Sequence, residues 1–258
     1  MSEPHLLFER LSPQIAVITL NRPEKRNVIS GEIAQGLRDA IQTVENDPLL
    51  RVAILTAKGK VFCAGADLAE VSAGRGHALT TKSGGFAGFV HEPRSKVWIA
   101  AVDGLALGGG FELLLACDLA VVSTEAQLGL PEVKRGLIAA AGGAFRVGRS
   151  LPRAIAIELA VTGRAMTAER ALHFGLVNTL AEPGQVLNAA IALAEEIAAN
   201  APISVDQSLA LCKAAPECDE AELWQRNQAA AGVVISSADS KEGMRAFLEK
   251  RPPNWQGS

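Results

Sequence analysis

Two glutamates stand among apolar residues, where an acidic side chain could do chemistry. Glu112 follows the run GGGF and opens an apolar stretch that predicts a helix, and Glu132 follows Pro131 in LGLPEVKRGL. Burial raises the pKa of a carboxyl group toward the range of a general acid or base. The residues also allow ordinary roles. An acid in the first turn of a helix complements the helix dipole, and Glu132 could pair on the surface with Lys134 or Arg135.

Two loops of small residues could supply hydrogen-bond donors to the same chemistry. CAGADL occupies 63–68 and ALGGGFEL occupies 106–113. Small residues let the main chain approach a ligand closely, and two converging N–H groups can stabilise an oxyanion. Either loop, taken alone, is also consistent with a tight turn in a packed sheet. The glycines match neither GxxxxGK[ST] nor GxGxxG, so a phosphate loop is not favoured.

The elements that must position these residues alternate in the first half of the chain. Ser30 is a plausible N-cap for a helix in which apolar residues recur at three- to four-residue spacing from Ile33 to Val44. Beyond about residue 150 the pattern becomes helical, which predicts an α/β core with a helical C-terminal subdomain. Strands are predicted at 14–20, 52–57, 97–102 and 118–122, and the later helices at 151–161, 167–174, 184–200, 203–214, 219–234 and 240–250.

Composition excludes several classes of function. The 258 residues include 8 Phe and 3 Trp but no Tyr, which removes tyrosine as an acid, base or nucleophile. An aromatic platform for stacked bases is also disfavoured. Lys and Arg number 25 against 28 Asp and Glu, and no long basic run occurs. A nucleic-acid binder usually shows a basic stripe, so no nucleic-acid partner is expected.

Cysteine usage and hydropathy bear on metal binding, disulfides and cellular location. The four cysteines form no CxxC pair and have no ligand-like spacing to the histidines, so neither a metal site nor a disulfide framework is expected. The apolar segment 96–122 is interrupted by Asp103, Glu112 and Asp118, which would be costly in lipid. It is expected to form a buried strand, a glycine turn and a buried helix. With no apolar signal segment at the N-terminus, a cytoplasmic protein without a membrane partner is expected.

The sequence resembles the crotonase (enoyl-CoA hydratase/isomerase) superfamily over nearly its whole length. The resemblance implies a crotonase-like spiral of ββα units over 1–200 and a helical C-terminal trimerisation subdomain over 201–258. It also implies assembly as a homotrimer or a hexamer. The motifs that carry it, in family order, are LNRPEKRN (20–27), VFCAGADL (61–68), AAVDGLALGGGFELLLACDLAV (100–121), LGLPEVKRGL (128–137) and SKEGMRAFLEKRPPNW (240–255).

The resemblance implies a role for each matched position. The main-chain N–H groups of Ala66 and Gly109 would form an oxyanion hole for the thioester carbonyl of an acyl-CoA. Glu112 would hold and deprotonate water, and Glu132 would deliver a proton. Coenzyme A would enter as part of the substrate, with no other cofactor and no metal. The positions expected to contact the substrate are Lys25, Asn27, Ala64, Asp67, Leu68, Gly108, Ala140, Phe247 and Lys250.

Departures from the family pattern bear on the acyl group. Ala139 and Ala140 stand where members often carry a Pro-Gly pair, and the added methyl groups reshape the pocket. The stretch 70–95, with GGFAGF at 84–89, is expected to set acyl specificity. Together with GGGFEL and VTGRAM (161–166), it resembles the carnitinyl-CoA dehydratase branch.

Two other functions remain open at this point. An enoyl-CoA isomerase typically manages with one acid, so the presence of two counts against it. A catalytically idle CoA- or RNA-binding homologue is disfavoured by the retained acids and by the missing basic stripe.

Overall fold

The computed structural model describes residues 3–258 and contains two main sheets. The strands in this part of the chain are β1 (Leu6–Arg10), β2 (Ile15–Leu20), β3 (Val52–Ala57), β4 (Val61–Cys63), β5 (Thr80–Thr81), β6 (Gly85–Phe86), β7 (Val97–Val102), β8 (Leu105–Leu107), β9 (Leu119–Ser123), β10 (Gln127–Gly129), β11 (Met166–Thr167) and β12 (Thr179–Ala181).

The larger sheet has the strand order β1-β2-β3-β7-β9-β12. Its pairs are parallel except for the antiparallel pair of β1 and β2. β3 and β7 read VAILTA and VWIAAV and are buried along almost their whole length, as expected for parallel strands covered on both faces. The four strands predicted from the sequence correspond to β2, β3, β7 and β9 within one residue, so these predictions are confirmed.

The smaller sheet has the order β11-β10-β8-β4, in which β4, β8 and β10 run parallel. Strands β5 and β6 form a short separate hairpin within the polar stretch 70–95. The segment 96–122 folds as β7, β8, a buried helix and β9, which confirms its interpretation as buried elements joined by a glycine turn.

The helices agree with the sequence pattern. The first helix begins after Ser30, whose hydroxyl accepts a hydrogen bond from the N–H of Ile33, and it buries its apolar stripe. The six helices predicted beyond residue 150 are present with ends displaced by at most two residues. In residues 3–258 the helices are α1 (Gly31–Asn46), α2 (Leu68–Ser72), α3 (Gly109–Ala116), α4 (Gly143–Ser150), α5 (Arg153–Thr162), α6 (Ala168–His173), α7 (Val186–Ala198), α8 (Pro202–Ala214), α9 (Glu220–Ser236) and α10 (Ala238–Glu249).

The core lies on both faces of the larger sheet. On one face, Ile54 and Ile99 pack with Ala190 and Ala194 of α7, whose small side chains let the helix approach the strands closely. The opposite face packs against α1, α3 and the smaller sheet, and it contains the fully buried Trp98. The predicted α/β architecture is therefore confirmed. The division into a core over 1–200 and a subdomain over 201–258 stays a prediction.

No single helix within residues 3–258 is both long and apolar enough to cross a membrane. Helices α7 and α8, bent by 110° at the break between them, reach the threshold together by length and composition only.

Candidate active site

Three parallel strands of the smaller sheet end at one edge and position the candidate site. β4 is followed by the loop 64–67, β8 by Gly108 and helix α3, and β10 by Leu130 and a 3-10 helix over Pro131–Arg135. Because β8 and β10 are aligned residue for residue, with Leu107 opposite Gly129, their following segments emerge side by side. The carboxyl ends of parallel strands are where ligands bind in such sheets.

The loop after β4 presents a free N–H group beside the start of α3. Hydrogen bonds from Ile29 N–H to the carbonyl of Gly65 (2.8 Å) and from Asp67 N–H to the carbonyl of Ile29 (3.0 Å) fix the loop on both sides of Ala66. Neither Ala66 N–H nor Gly109 N–H donates to a main-chain carbonyl of the described residues. A Cβ atom on Gly65 would lie 3.2 Å from the nitrogen of Gly109, so the two loops touch.

Two glycines at the start of α3 are required by close contacts. A Cβ atom on Gly110 would lie 2.1 Å from the carbonyl oxygen of Cys63, which rules out any larger residue there. A Cβ atom on Gly109 would lie 2.5 Å from the ring of Phe86. The helix terminus is therefore packed directly against the end of β4 on one side and against an aromatic ring on the other.

Glu112 lies in the first turn of α3 and is 3% exposed. Its Oε1 accepts a hydrogen bond from Gly143 N–H at 2.8 Å. Burial and the negative charge of Glu132 raise the pKa of Glu112, while the N–H of Gly143 and the guanidinium of Arg146 oppose the shift, and the net result is a pKa of about 7. The carboxyl group can therefore change its protonation state near neutral pH, as a general acid or base requires.

Glu132 lies in the 3-10 helix after β10, next to the start of α3. Its Oε1 would contact a Cβ atom on Gly108 at 3.1 Å, and its Oε2 is buried without a hydrogen-bond partner among the described residues. Burial raises the pKa of Glu132. Neither Lys134 nor Arg135 forms an ion pair with it in residues 3–258, so the surface-pair alternative is not what the structure contains.

The segment 84–90 covers the Gly109 end of the site, a feature the sequence indicated only through the run GGFAGF. Phe86 packs its ring on the main chain of Gly109. Ala87 has φ of 57° between Gly85 and Gly88, which both have φ of 63°, so the segment turns sharply on either side of the ring. Sequence reasoning expected this stretch to bear on specificity but did not single out Phe86.

The residues expected to contact coenzyme A lie along the two N-terminal loops. Leu68, at the start of α2, is 53% exposed, and Lys25, in the loop after β2, is exposed as well. Ala64 donates its N–H to the carbonyl of Arg26 at 3.1 Å, which joins the two loops.

Asp67 has a structural task at the same place. Its carboxylate forms an ion pair with Arg22 at 2.7 Å and caps α2 by accepting from the N–H of Ala69. The hydrogen bond from Arg22 holds the pKa of Asp67 below its usual range. The side chain therefore connects the loop after β4 to the loop after β2.

Asn27 corrects one expectation of the sequence analysis. Its side chain is completely buried, donates to the carbonyls of Lys58 and Val61 at 2.9 and 2.7 Å, and accepts from Arg22 N–H at 2.8 Å. Because the amide is fully used inside the protein, it cannot reach coenzyme A. Its role here is to fasten three loop segments together.

The remaining expected residues lie on exposed surface. Ala140 lies in the loop before α4, and Phe247, 83% exposed, and Lys250 lie at the end of α10. No described hydrogen bond or ion pair links Phe247 or Lys250 to the two glutamates. Their contact with the substrate stays a prediction.

The thiols of Cys63, beside the site, and of Cys117, at the C-terminal end of α3, are not reactive nucleophiles. Burial raises the pKa of both Cys63 and Cys117 to about 12, so each stays protonated at neutral pH. A nucleophilic thiol needs the opposite shift. Within residues 3–258, no group of three or more His, Cys, Asp or Glu side chains is arranged to hold a metal ion.

The chain is similar to known proteins over nearly its whole length. A family model described as enoyl-CoA hydratase/isomerase matches residues 10–258. The crystal structure of an enoyl-CoA hydratase from Mycobacterium tuberculosis H37Rv superposes with a TM-score of 0.95 at 43% identity, covering 99% of this chain and 100% of that one.

Two curated relatives carry more specific names. A mevalonyl-coenzyme A hydratase from Aspergillus fumigatus is 38% identical over 256 residues, which is 96% of this chain and 93% of that protein. A carnitinyl-CoA dehydratase from Salmonella arizonae is 38% identical over 249 residues, or 94% and 95% of the two chains. Family match, relatives and fold agree over nearly the full length, and the crotonase-like fold expected from the motifs is confirmed. The chain belongs to the enoyl-CoA hydratase/isomerase family.

Proposed function

We propose that the protein adds or removes water across the C2–C3 bond of an acyl-CoA thioester, as an enoyl-CoA hydratase or dehydratase. One observation carries the proposal. Two carboxyl groups with raised pKa values flank the start of α3, where Gly109 N–H and the neighbouring Ala66 N–H have no main-chain partner among the described residues. This arrangement combines acid–base groups with oxyanion donors in one place.

The free N–H groups account for activation of the thioester. When water attacks C3, electrons move through C2 to the thioester oxygen, which becomes an enolate. Ala66 N–H and Gly109 N–H would donate hydrogen bonds to that oxygen, with Gly109 aided by the partial positive charge at the start of α3. Loss of one such donor typically costs about 10²–10³ in rate.

The two glutamates account for the proton transfers. Glu112, ionised in a substantial fraction of molecules at neutral pH, holds the water and takes one of its protons as the oxygen bonds to C3. Glu132 gives its proton to C2, and proton exchange then restores the pair. We propose that both carboxyl groups act on the same face of the C2–C3 bond, which makes the addition syn. Dehydration runs through the same steps in reverse.

Coenzyme A enters as part of the substrate, and the proposal needs no further cofactor. Lys25, in the loop after β2, and Ala64 and Leu68, after β4, are proposed to line its path. Ala140, in the loop that also carries Gly143, is proposed to border the water.

Assembly into a homotrimer, or a hexamer of two trimers, is part of the proposal. Helices α9 and α10 expose large apolar side chains that an isolated chain would leave in water. Phe247 and Lys250, on this surface, would reach the substrate of a neighbouring subunit. Sedimentation of the protein as a monomer would contradict this. The exposed residues are Trp224, Val233, Ile235, Met244, Phe247 and Leu248.

A carnitinyl-CoA dehydratase is the second candidate, and it uses the same acid–base chemistry on a different acyl group. It is supported by the relative that carries that name and by the motifs GGFAGF, GGGFEL and VTGRAM, which resemble that branch of the family. An isomerase is disfavoured because it would leave one of the two carboxyl groups without a task. An idle homologue is disfavoured for the same reason.

The test is turnover of a panel of trans-2-enoyl-CoA thioesters of increasing chain length, together with crotonobetainyl-CoA and a 3-enoyl-CoA. Hydration is followed by the loss of the ultraviolet absorbance of the conjugated thioester. We expect saturable hydration of at least one 2-enoyl-CoA by the parent protein and by Glu169→Gln, a control at an exposed acid of α6. If the folded parent turns over no member of the panel, the proposal is wrong. If it converts only 3-enoyl-CoA without hydration, the isomerase is correct.

A further inference from the structure

A half-buried guanidinium, that of Arg146, lies beside the site. Arg146, in the first half of α4, donates from Nη1 to the carbonyl of Ala141 at 2.9 Å and from Nη2 to the carbonyl of Val90 at 2.7 Å. It lies so close to Gly142 that a Cβ atom there would come within 2.3 Å of Nη1. The side chain thus joins two segments that are far apart in the sequence.

Each of these carbonyls belongs to a segment that touches the site. Ala141 is two residues before Gly143, whose N–H donates to Glu112. Val90 ends the segment in which Phe86 covers Gly109. One side chain therefore connects the support of the proposed base to the cover of the proposed oxyanion hole.

We propose that Arg146 is a positioning residue, which holds residues 139–143 so that Glu112 is oriented, and which ties them to the segment covering Gly109. The proposal rests on the role of Glu112 as the base. Arg146 touches no reacting atom and acts through Ala141, Gly143 and Val90.

A second half-buried arginine, Arg94, does not replace Arg146. Arg94 donates to the carbonyls of Phe89, at 2.6 Å, and of Ala116, and its guanidinium stacks 4.1 Å from the ring centre of Phe89. It therefore fastens the covering segment to the C-terminal end of α3. Arg94 has no hydrogen bond to the 139–143 loop among the described residues, so the support of Glu112 depends on Arg146.

The charges around Glu112 fix the direction of the expected effect. The 3-10 helix presents the negative charge of Glu132, α4 presents the positive charge of Arg146, and the N–H groups of Gly143 and Ala141 face the carboxylate from the intervening loop. Arg94 faces Arg146 from behind. Removal of Arg146 takes away the positive charge and loosens the donors, so Glu112 would hold its proton to a higher pH.

The experiment compares Arg146→Met and Arg146→Lys with the parent by the pH dependence of kcat/KM on the best enoyl-CoA. In Arg146→Met we expect the acid limb to move up by about one pH unit and kcat to fall by about 10²-fold, with KM changed little. Arg146→Lys keeps the charge but has no planar fork, so it should restore the limb while kcat stays reduced. Arg149→Met is the matched control on the same helix. Its side chain is exposed and pairs with Glu217, so the limb and kcat should match the parent.

Hydrogen exchange tests the same role of Arg146 without a substrate. Hydrogen exchange of the amides at 139–143 should be faster in Arg146→Met than in Arg149→Met, whether or not a substrate has been found. Unchanged exchange overturns the proposal, and failure of the hydratase proposal alone leaves this result standing. A folded Arg146→Met with the parental limb and kcat also overturns it. If Arg146→Met does not fold, Arg146→Gln replaces it, and an acid limb equal to that of Arg146→Lys would contradict the inference.

Discussion

The carboxylate of Glu132 lies over the main chain of Gly108, at a distance where a Cβ atom on that glycine would meet Oε1 at 3.1 Å. Gly108 has φ of 57° and immediately precedes Gly109, whose N–H is the proposed oxyanion donor. The proposed proton donor and the proposed oxyanion donor are therefore set by neighbouring residues of one turn. A small displacement at Gly108 affects both.

Gly108→Ala tests this relationship. The new methyl group needs a left-handed backbone and crowds Glu132, so we expect the carboxylate to move and kcat to fall by about 10²-fold. The unfolding free energy should decrease by about 1–2 kcal/mol. Gly148→Ala in α4 is the control, because a Cβ atom there meets nothing within 4 Å, and it should keep the parental rate. If Gly108→Ala keeps the parental kcat, the contact between Gly108 and Glu132 does not matter for the reaction.

Glu132→Gln removes the proposed proton donor while preserving its size. We expect kcat to fall by about 10²–10⁴-fold, with the fold intact because Oε2 has no hydrogen-bond partner to lose in the described residues. Steady-state hydration rates and the melting temperature measure the two effects. Undiminished turnover would exclude Glu132 from the chemistry.

We expect Glu112→Gln to be inactive but, at high pH, to have a larger unfolding free energy than the parent. Burial raises the pKa of Glu112 from 4.5 to about 7, so between these values the folded chain binds more protons than the unfolded chain, and stability falls as pH rises through that window. Above pH 7 the ionised carboxylate costs at most about 3 kcal/mol. Glutamine avoids this cost and can still accept from Gly143 N–H.

Urea unfolding at pH 4 and pH 8 measures the effect of Glu112→Gln. We expect the inactive variant to be more stable than the parent by about 1–3 kcal/mol at pH 8, and the gain to vanish at pH 4. Glu169→Gln, on the exposed surface, should give no such pH-dependent gain. Equal stability of Glu112→Gln and parent at both pH values would mean that the buried carboxylate carries no ionisation cost.

Asn27→Ala should act on folding. Three hydrogen bonds disappear and the partner groups on Arg22, Lys58 and Val61 lose a buried partner, so we expect a loss of about 3 kcal/mol in unfolding free energy. The KM of the remaining folded enzyme should stay near the parental value. Lys25→Ala, at an exposed neighbour, should show the reverse pattern. If Asn27→Ala shows a large increase in KM without loss of stability, Asn27 contacts the substrate after all.

The sequence pattern was sufficient for the elements with long apolar periodicity. Strands such as VAILTA and VWIAAV and the helix after Ser30 carry enough apolar residues to be recognised, and their observed ends agree closely. Strands β4, β8 and β10 are only three residues long and are specified by pairing with one another, so no local periodicity indicates them. They are the strands whose ends form the site.

The order of the motifs along the chain predicts the main residues of the candidate site, but it does not predict the contacts between distant segments that support them. From the local sequence, Glu112 could equally complement the helix dipole and Glu132 could form a surface ion pair. Their separation of twenty residues does not show that the segments after β8 and β10 emerge side by side. Phe86, Arg94 and Arg146 were missed because each also contacts main-chain atoms of a distant segment, at Gly109, Ala116 and Val90 respectively. Asn27 was misassigned for the related reason that burial of an amide is invisible in a polar loop.

The contact of Gly110 with the carbonyl of Cys63 has a consequence for how this site can change over evolution. It fixes the start of α3 through main-chain geometry, and the two proposed oxyanion donors are themselves main-chain groups. A substitution at position 66 to any residue other than proline leaves its donor in place. The acids, by contrast, are single side chains on separate elements. The thioester-activating half of the site thus depends on the glycines that begin α3 and hardly on the side chain at position 66, while each acid can be replaced by a single substitution.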